Sequence, residues 1–211
     1  MQKLNHCSVA EAYFRMTETL KPVVVRVAIL NLCYFVVEFY YAHRFNSVSL
    51  LSDSLDFLED ASVNILIFLA FSLSVIWRKR LSYIFALLLL LPGISFLFNA
   101  LQQISNPEAP VGRGMSLVGA GALAVNFYCA LILKKFREIK GGLAKAAYFS
   151  ARNDAVSNVL IIVAGLITLV WVSAIPDLVV GAVIFFMNAD SARDILHAAR
   201  TEHKESSNQQ C

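Results

Sequence analysis

The sequence reads as an all-α membrane protein, a six-transmembrane-helix bundle with N- and C-termini cytoplasmic. Three observations predict this. Of the 211 residues, 58% are hydrophobic and only 16% charged, with a mean hydropathy of +0.63, whereas soluble domains hold roughly 45–50% apolar and ~25% charged residues. Apolar windows recur six times, each near the ~20 residues that a helix needs to cross a bilayer. Lysine and arginine are also shared unevenly between the loops that these windows define, which is the pattern that sets orientation.

The elements follow in order. Residues 1–21 form an N-terminal segment without the continuous apolar run of a signal peptide, so they are expected to stay on the chain at the cytoplasmic side. The six-helix domain spans 22–190, with windows at Pro22 to Ala42, Leu50 to Trp77, Leu81 to Ile104, Met115 to Leu133, Ala144 to Val172 and Ile175 to Ala189. Pro92-Gly93 lies inside the third window as a kink point, and NPEAPVGRG breaks the chain before the fourth. The last two windows are joined so tightly at Ile175-Pro176-Asp177 that they must form a hairpin. Residues 191–211 are a short polar cytoplasmic tail, expected to be disordered. With six crossings, 15 of the 18 basic residues fall in the tails and in the loops WRKR and KKFREIKGGLAK. Arg44 and Arg113 fall on the other side and Arg152 within a span. The basic side is the cytoplasmic side.

Several classes of function are excluded. The net charge of +3 comes from short basic clusters between apolar runs, with no basic stripe interleaved with aromatics, so nucleic acid is not an expected partner. Cys7, Cys33, Cys129 and Cys211 are scattered without CxxC spacing and suggest neither a disulfide framework nor a zinc ribbon. His6, His43, His197 and His203 fall in loops or tails and read as ordinary exposed histidines.

Function is carried by polar residues inside the apolar windows. The second window holds Asp53, Asp56, Glu59 and Asp60 within eight residues. Each mid-membrane aspartate costs ~2.5–3.5 kcal/mol, whereas a leucine or isoleucine returns only ~0.3–0.6 kcal/mol. At ~100° per residue, Asp53, Asp56, Asp60 and Asn64 share one stripe, with Glu59 off it. In the fifth window Ser150, Asn153, Asp154, Ser157 and Asn158 share another, with Arg152 pointing away. Asp60 lies ten residues after Leu50 and Asp154 ten after Ala144, counted from opposite sides of the membrane, so both are expected ~15 Å into a ~30 Å core. Antiparallel packing of the two helices would bring their oxygens together at the midplane. Clustered carboxylates there cannot all stay ionised unless protons or a divalent cation join them. That competition is a physical basis for proton-coupled metal exchange. The same residues have plainer readings. Asn31, Ser157 and Asn158 suit hydrogen bonds between helices, Asp53 is near enough to the interface to be hydrated, Glu59 and Arg152 could pair, and Glu38 is an interfacial acid or a supporting group.

These motifs resemble the cation diffusion facilitators, proton-linked exporters of divalent metals with six membrane helices. The stretch LNLCYFVVEFYYAHRFNSVSLLSDSLDFLED is similar to the family's first two helices, and SARNDAVSNVLIIVAGL with PDLVVGAVIF to its fifth and sixth. The resemblance runs roughly from Arg26 to Asp194. It implies that a D/HxxxD pair, here Asp56 and Asp60, and an HxxxD pair, here Ser150 and Asp154, bind the transported metal. Ser150 stands where the family has histidine. The resulting oxygen-rich set suits Mn, Mg or Fe(II) better than a soft ion, while zinc or cobalt stays open through carboxylates and water. Asn153 could replace Ser150 as fourth ligand, and Asp53, Asn64 and Asn158 are further candidates for that place or for support. The resemblance also implies a cytoplasmic C-terminal domain, for which only about twenty residues follow the last window. This short member is expected to lack regulation by that domain and to form a homodimer through membrane helices.

The leading expectation is a multi-pass secondary transporter, in a bacterial inner (plasma) membrane, that exports a divalent metal cation (Zn, Co, Fe, Mn or similar) by proton antiport. Its partners are the metal ion, protons and the lipid bilayer, and no permanent cofactor is expected. The alternative is a non-transporting metal-binding membrane partner or scaffold subunit. An enzyme is not expected: an intramembrane aspartyl protease would also use two facing aspartates, but its GxGD context is absent from the residues around Asp154.

Overall fold

The computed structural model describes residues 2–70, 77, 94–136 and 143–187, with side chains within 19–69, 77, 94–136 and 147–187. Among these residues the chain is helical, without strands. Helix α1 spans Gln2–Phe45 and α2 spans Val48–Ala70. Residues 94–105 form α3. Helix α4 spans Gly112–Leu133 and runs into a 3-10 turn, Lys134–Phe136. Helix α5 spans Leu143–Val170 and α6 spans Ile175–Met187. The end of the second predicted window, most of the third, the basic loops around 78–80 and 137–142, and the C-terminal tail lie outside the described residues.

Several boundaries differ from the sequence reading, with α1 ending at Phe45 instead of Ala42 and α2 beginning at Val48 instead of Leu50. Helix α1 begins at Gln2, with Pro22 in its interior, so the expected division at 21/22 falls inside a continuous helix. Residues 2–21 contain no glycine or other proline to stop it, and a single proline removes only one ladder hydrogen bond. Helix α4 starts at Gly112, three residues before the expected Met115.

The α1–α2 connection is built by local chemistry. Asn46 has a φ of 54°, a left-handed conformation that asparagine tolerates better than most residues. With it, the N–H of Ser47 donates to the carbonyl of Ala42 at 2.9 Å and that of Asn46 to His43 at 3.4 Å, the paired closure of a Schellman motif. Ser47 then caps α2, its Oγ accepting from the N–H of Leu50 at 3.2 Å.

A second cap reaches α2 from far along the chain. Asp177, in the first turn of α6, is fully buried. Its Oδ2 accepts from the N–H of Val48 at 2.6 Å. Its Oδ1 accepts from Ser47 Oγ at 2.8 Å, from the N–H of Ser49 at 3.1 Å and from Ser49 Oγ. A carboxylate beside the starts of two helices also meets the positive ends of two helix dipoles.

Two apolar clusters fill the bundle. One, at the end holding the α1–α2 turn, includes Leu50, Leu51, Phe96, Met115, Ile161 and Ile184. The other, toward the opposite end, includes Val24, Val27, Ile67, Cys129, Leu133 and Ala147. Helices α4 and α5 bring their backbones into contact at glycines: a Cβ on Gly112 would lie 2.5 Å from the carbonyl oxygen of Gly165.

Polarity is inverted relative to a soluble protein. Large apolar side chains such as Val36, Phe98, Leu117 and Val170 are exposed, while Asn31, Glu38, Asp53 and Asn158 are fully buried. Thr19–Phe45, Gly112–Phe136 and Ala147–Val170 are each long and apolar enough to cross a membrane. Helix α2 has the length, and its four acids lower its hydropathy. The 13-residue α6 is shorter and apolar. An apolar outside with carboxylates inside fits lipid as the solvent; this is an integral membrane protein.

Candidate metal-binding site

Between the two apolar clusters α2 and α5 face each other with polar residues. Asp53, Asp56, Asp60 and Asn64 of α2 are buried, and so are Asp154, Ser157 and Asn158 of α5. This is the outcome expected from i, i+3, i+4 and i+7 spacing on a single helical face. The off-stripe residues behave differently: Glu59 is half-buried and Arg152 exposed. The Arg152 guanidinium lies 4.9 Å from the centre of the Phe149 ring, a cation–π distance.

Asp60 is the point of contact between the helices. Ser150 Oγ donates to its Oδ1 at 2.8 Å, and the carboxyls of Asp60 and Asp154 lie within hydrogen-bonding reach of each other. Two carboxylates cannot sit side by side in a water-poor interior with both charges uncompensated; a shared proton or a cation must join them. Asn64 helps fix the backbone here, its Nδ2 donating to the Asp60 carbonyl at 2.8 Å. Asp56 is buried one turn away on the same face. Asn153 is exposed, so Ser150 is the one of the two alternatives that touches an aspartate. Among the described residues, no three His, Cys, Asp or Glu side chains are gathered closely enough to enclose a metal by themselves.

A second polar layer lies toward the α1–α2 turn. Asn126 Nδ2 donates to Asn158 Oδ1 at 3.1 Å, and Asn158 Nδ2 donates to Asp53 Oδ2. Glu38 reaches Asp53 from α1, although neither Glu38 oxygen meets a hydrogen-bond donor. One turn before Glu38, Tyr34 donates its hydroxyl to the Val118 carbonyl of α4 at 2.6 Å. Asn31 is fully buried with neither side-chain polar atom hydrogen-bonded.

The sequence reading left one neighbour, Glu38, open between an interfacial and a supporting place, and missed another, Cys129. Glu38 faces the interior even though it lies in an aromatic run, FVVEFYY, whose apolar character masks its phase. Cys129 of α4 is fully buried and near enough to Asp60 and Asp154 to sense both charges. Its α4 position is four residues from Val125 and three from Asn126, and the buried asparagine was the available signal for that face.

The family model described as the cation efflux transmembrane domain matches residues 24–198. The chain belongs to that cation efflux family. Among curated proteins it is similar to the cadmium, cobalt and zinc/H(+)-K(+) antiporter of Bacillus subtilis (strain 168), with 23% identity over 181 residues. That alignment covers 78% of this chain and 58% of the relative, so the chain spans somewhat over half the length of the curated protein it matches.

Proposed function

We propose that this protein is a secondary transporter that moves a divalent metal cation out of the cytoplasm in exchange for protons. The observation that carries the reading is the contact of Asp60 with Asp154 from two different helices, with Ser150 bonded to the first. Asp56, Asp60 and Asp154 are the metal ligands in this reading, and Ser150 takes the fourth place. Asp53, Asn64 and Asn158 orient them. Protons and metal compete for the same oxygens because a ligating carboxylate must be deprotonated. The family match and the antiporter relative support the same reading.

The proposed architecture has six crossings with both termini cytoplasmic, a metal site near the bilayer midplane, and a homodimer formed through membrane helices in a bacterial inner membrane. Zn, Co, Fe and Mn are the candidate cargoes, and no permanent cofactor or enzymatic step is involved.

Purified protein in sealed vesicles with an imposed pH gradient tests the reading. Metal flux is expected, and it should fall at least about a hundredfold in Asp60→Ala and in Asp154→Ala. Absence of flux in the unmodified protein, or its survival in both variants, would refute transport through this site. The scaffold alternative is excluded if the purified protein alone moves metal.

A further inference from the structure

The turn that joins α1 to α2 is held from two sides by contacts of different strength. On one side Asp177 of α6 accepts four hydrogen bonds from Ser47, Val48 and Ser49, all fully or nearly fully buried. On the other side the turn meets α3 and the α3–α4 loop. There Asn46 Nδ2 donates to Gln103 Oε1 and to Glu108 Oε2, and Gln103 Nε2 donates to the Asn46 carbonyl, each at 3.4 Å. Ser95 Oγ and His43 Nε2 are 3.3 Å apart in an exposed position, and the N–H of Val111 donates to the Phe45 carbonyl at 3.1 Å.

The two sides differ in kind. Hydrogen bonds to an ionised acceptor are roughly twice as strong as neutral ones, and removing Asp177 would strand four buried donors. Gln103 is buried and bonded to the Glu108 carbonyl on its own side of the seam, but the contacts that cross to Asn46 are long and at most part-buried, so water can replace them at little cost. If the bundle opens at this end, the seam that parts is therefore the second one.

Resting on the transporter reading, which makes this end the outer one, we propose that the Asn46–Gln103–Glu108 seam is the outer gate, and that the Asp177 pin stays closed while the gate opens. Helices α2 and α6 then keep a fixed point through the cycle, and metal leaves past the α3–α4 loop. Alternating access generally proceeds by movement of one helix group against another around a central site; here the pin marks where the groups stay joined.

Paired cysteines test the assignment in vesicles loaded for metal flux. The first variant carries Asn46→Cys with Gln103→Cys. The second carries Val48→Cys with Gly181→Cys, since a Cβ at Gly181 would lie 3.1 Å from Val48 Cγ1. Unmodified protein, with its native cysteines, receives the same oxidant as control. Oxidation of the first pair is expected to stop flux by at least about tenfold, with reductant restoring it; oxidation of the second pair should leave flux within about twofold of its reduced form. Undiminished flux through a locked 46–103 pair, or reversible arrest by the 48–181 pair, would overturn the proposal. Should Gly181→Cys fail to fold, Asp177→Asn serves instead: its amide turns one acceptor into a donor facing donors, and flux should drop at least about tenfold. Full flux in that variant would equally overturn it. Lack of flux in the unmodified protein would instead count against the transporter reading.

Discussion

Ser150 stands in contact with Asp60 where an imidazole would present nitrogen, and this exchange of donor atom has a measurable consequence. Oxygen-only sites suit harder cations and imidazole suits zinc. Ser150→His is expected to raise the preference for zinc over manganese by about tenfold or more, read from competition between the two ions in a thermal-stability assay. Asn158 makes a separate point. Its amide donates to Asp53 and accepts from Asn126, so Asn158→Ala strands polar atoms on both neighbours. An unsatisfied buried group costs about 1–3 kcal/mol, and the variant should melt at a lower temperature in detergent. A shift within measurement error would show that water fills the gap without loss.

At the scale of elements, the stripes on α2 and α5 were legible because one apolar helix with four carboxylates leaves few places for them to go. Periodicity placed Asp53, Asp56, Asp60 and Asn64 on one face, and the structure buries all four. Asp177 was not legible in the same way. It follows a proline in a short link and read only as a hairpin marker, because its partners, Ser47, Val48 and Ser49, lie about 130 residues away. Long-range caps leave no local period. The length of α1 escaped for a related reason: Pro22 resembles a helix start, yet the helix passes through it. Two predictions belong here. Asp177→Ala should destabilise the fold by more than the ~0.5–2 kcal/mol of a lost exposed cap, since buried donors lose their acceptor; thermal unfolding in detergent measures it. Gly165→Leu should cost at least the ~1–3 kcal/mol of an overpacked core, because a Cβ at Gly165 would already meet the Gly112 carbonyl oxygen at 2.7 Å. A leucine accepted there without loss of melting temperature would mean that α4 and α5 can move apart.

For the molecule as a whole, the proposed transport makes metal and proton rivals for one set of oxygens, which fixes the sign of the expected pH dependence. Metal should stabilise the fold through mass action, by about 2.7 kcal/mol at a hundred times Kd, seen as a higher melting temperature, and the gain should shrink as pH falls and protons occupy the carboxylates. A metal-induced stabilisation that grows on acidification would contradict the scheme. Orientation is testable at the same scale: cysteines placed at the two ends of the chain should react with an impermeant thiol reagent only when the cytoplasmic face is open to it.

The glycine contact between α4 and α5 has one more consequence. With no side chain to act as a bearing, carbonyl lies against backbone, and neither rod can roll on the other without a collision. A displacement of α5 that moves Asp154 is therefore expected to take α4 along, with Asn126 and Cys129 as passengers. A change in the proposed coordination cage would then reach, by simple rigidity, a helix that supplies none of the proposed ligands.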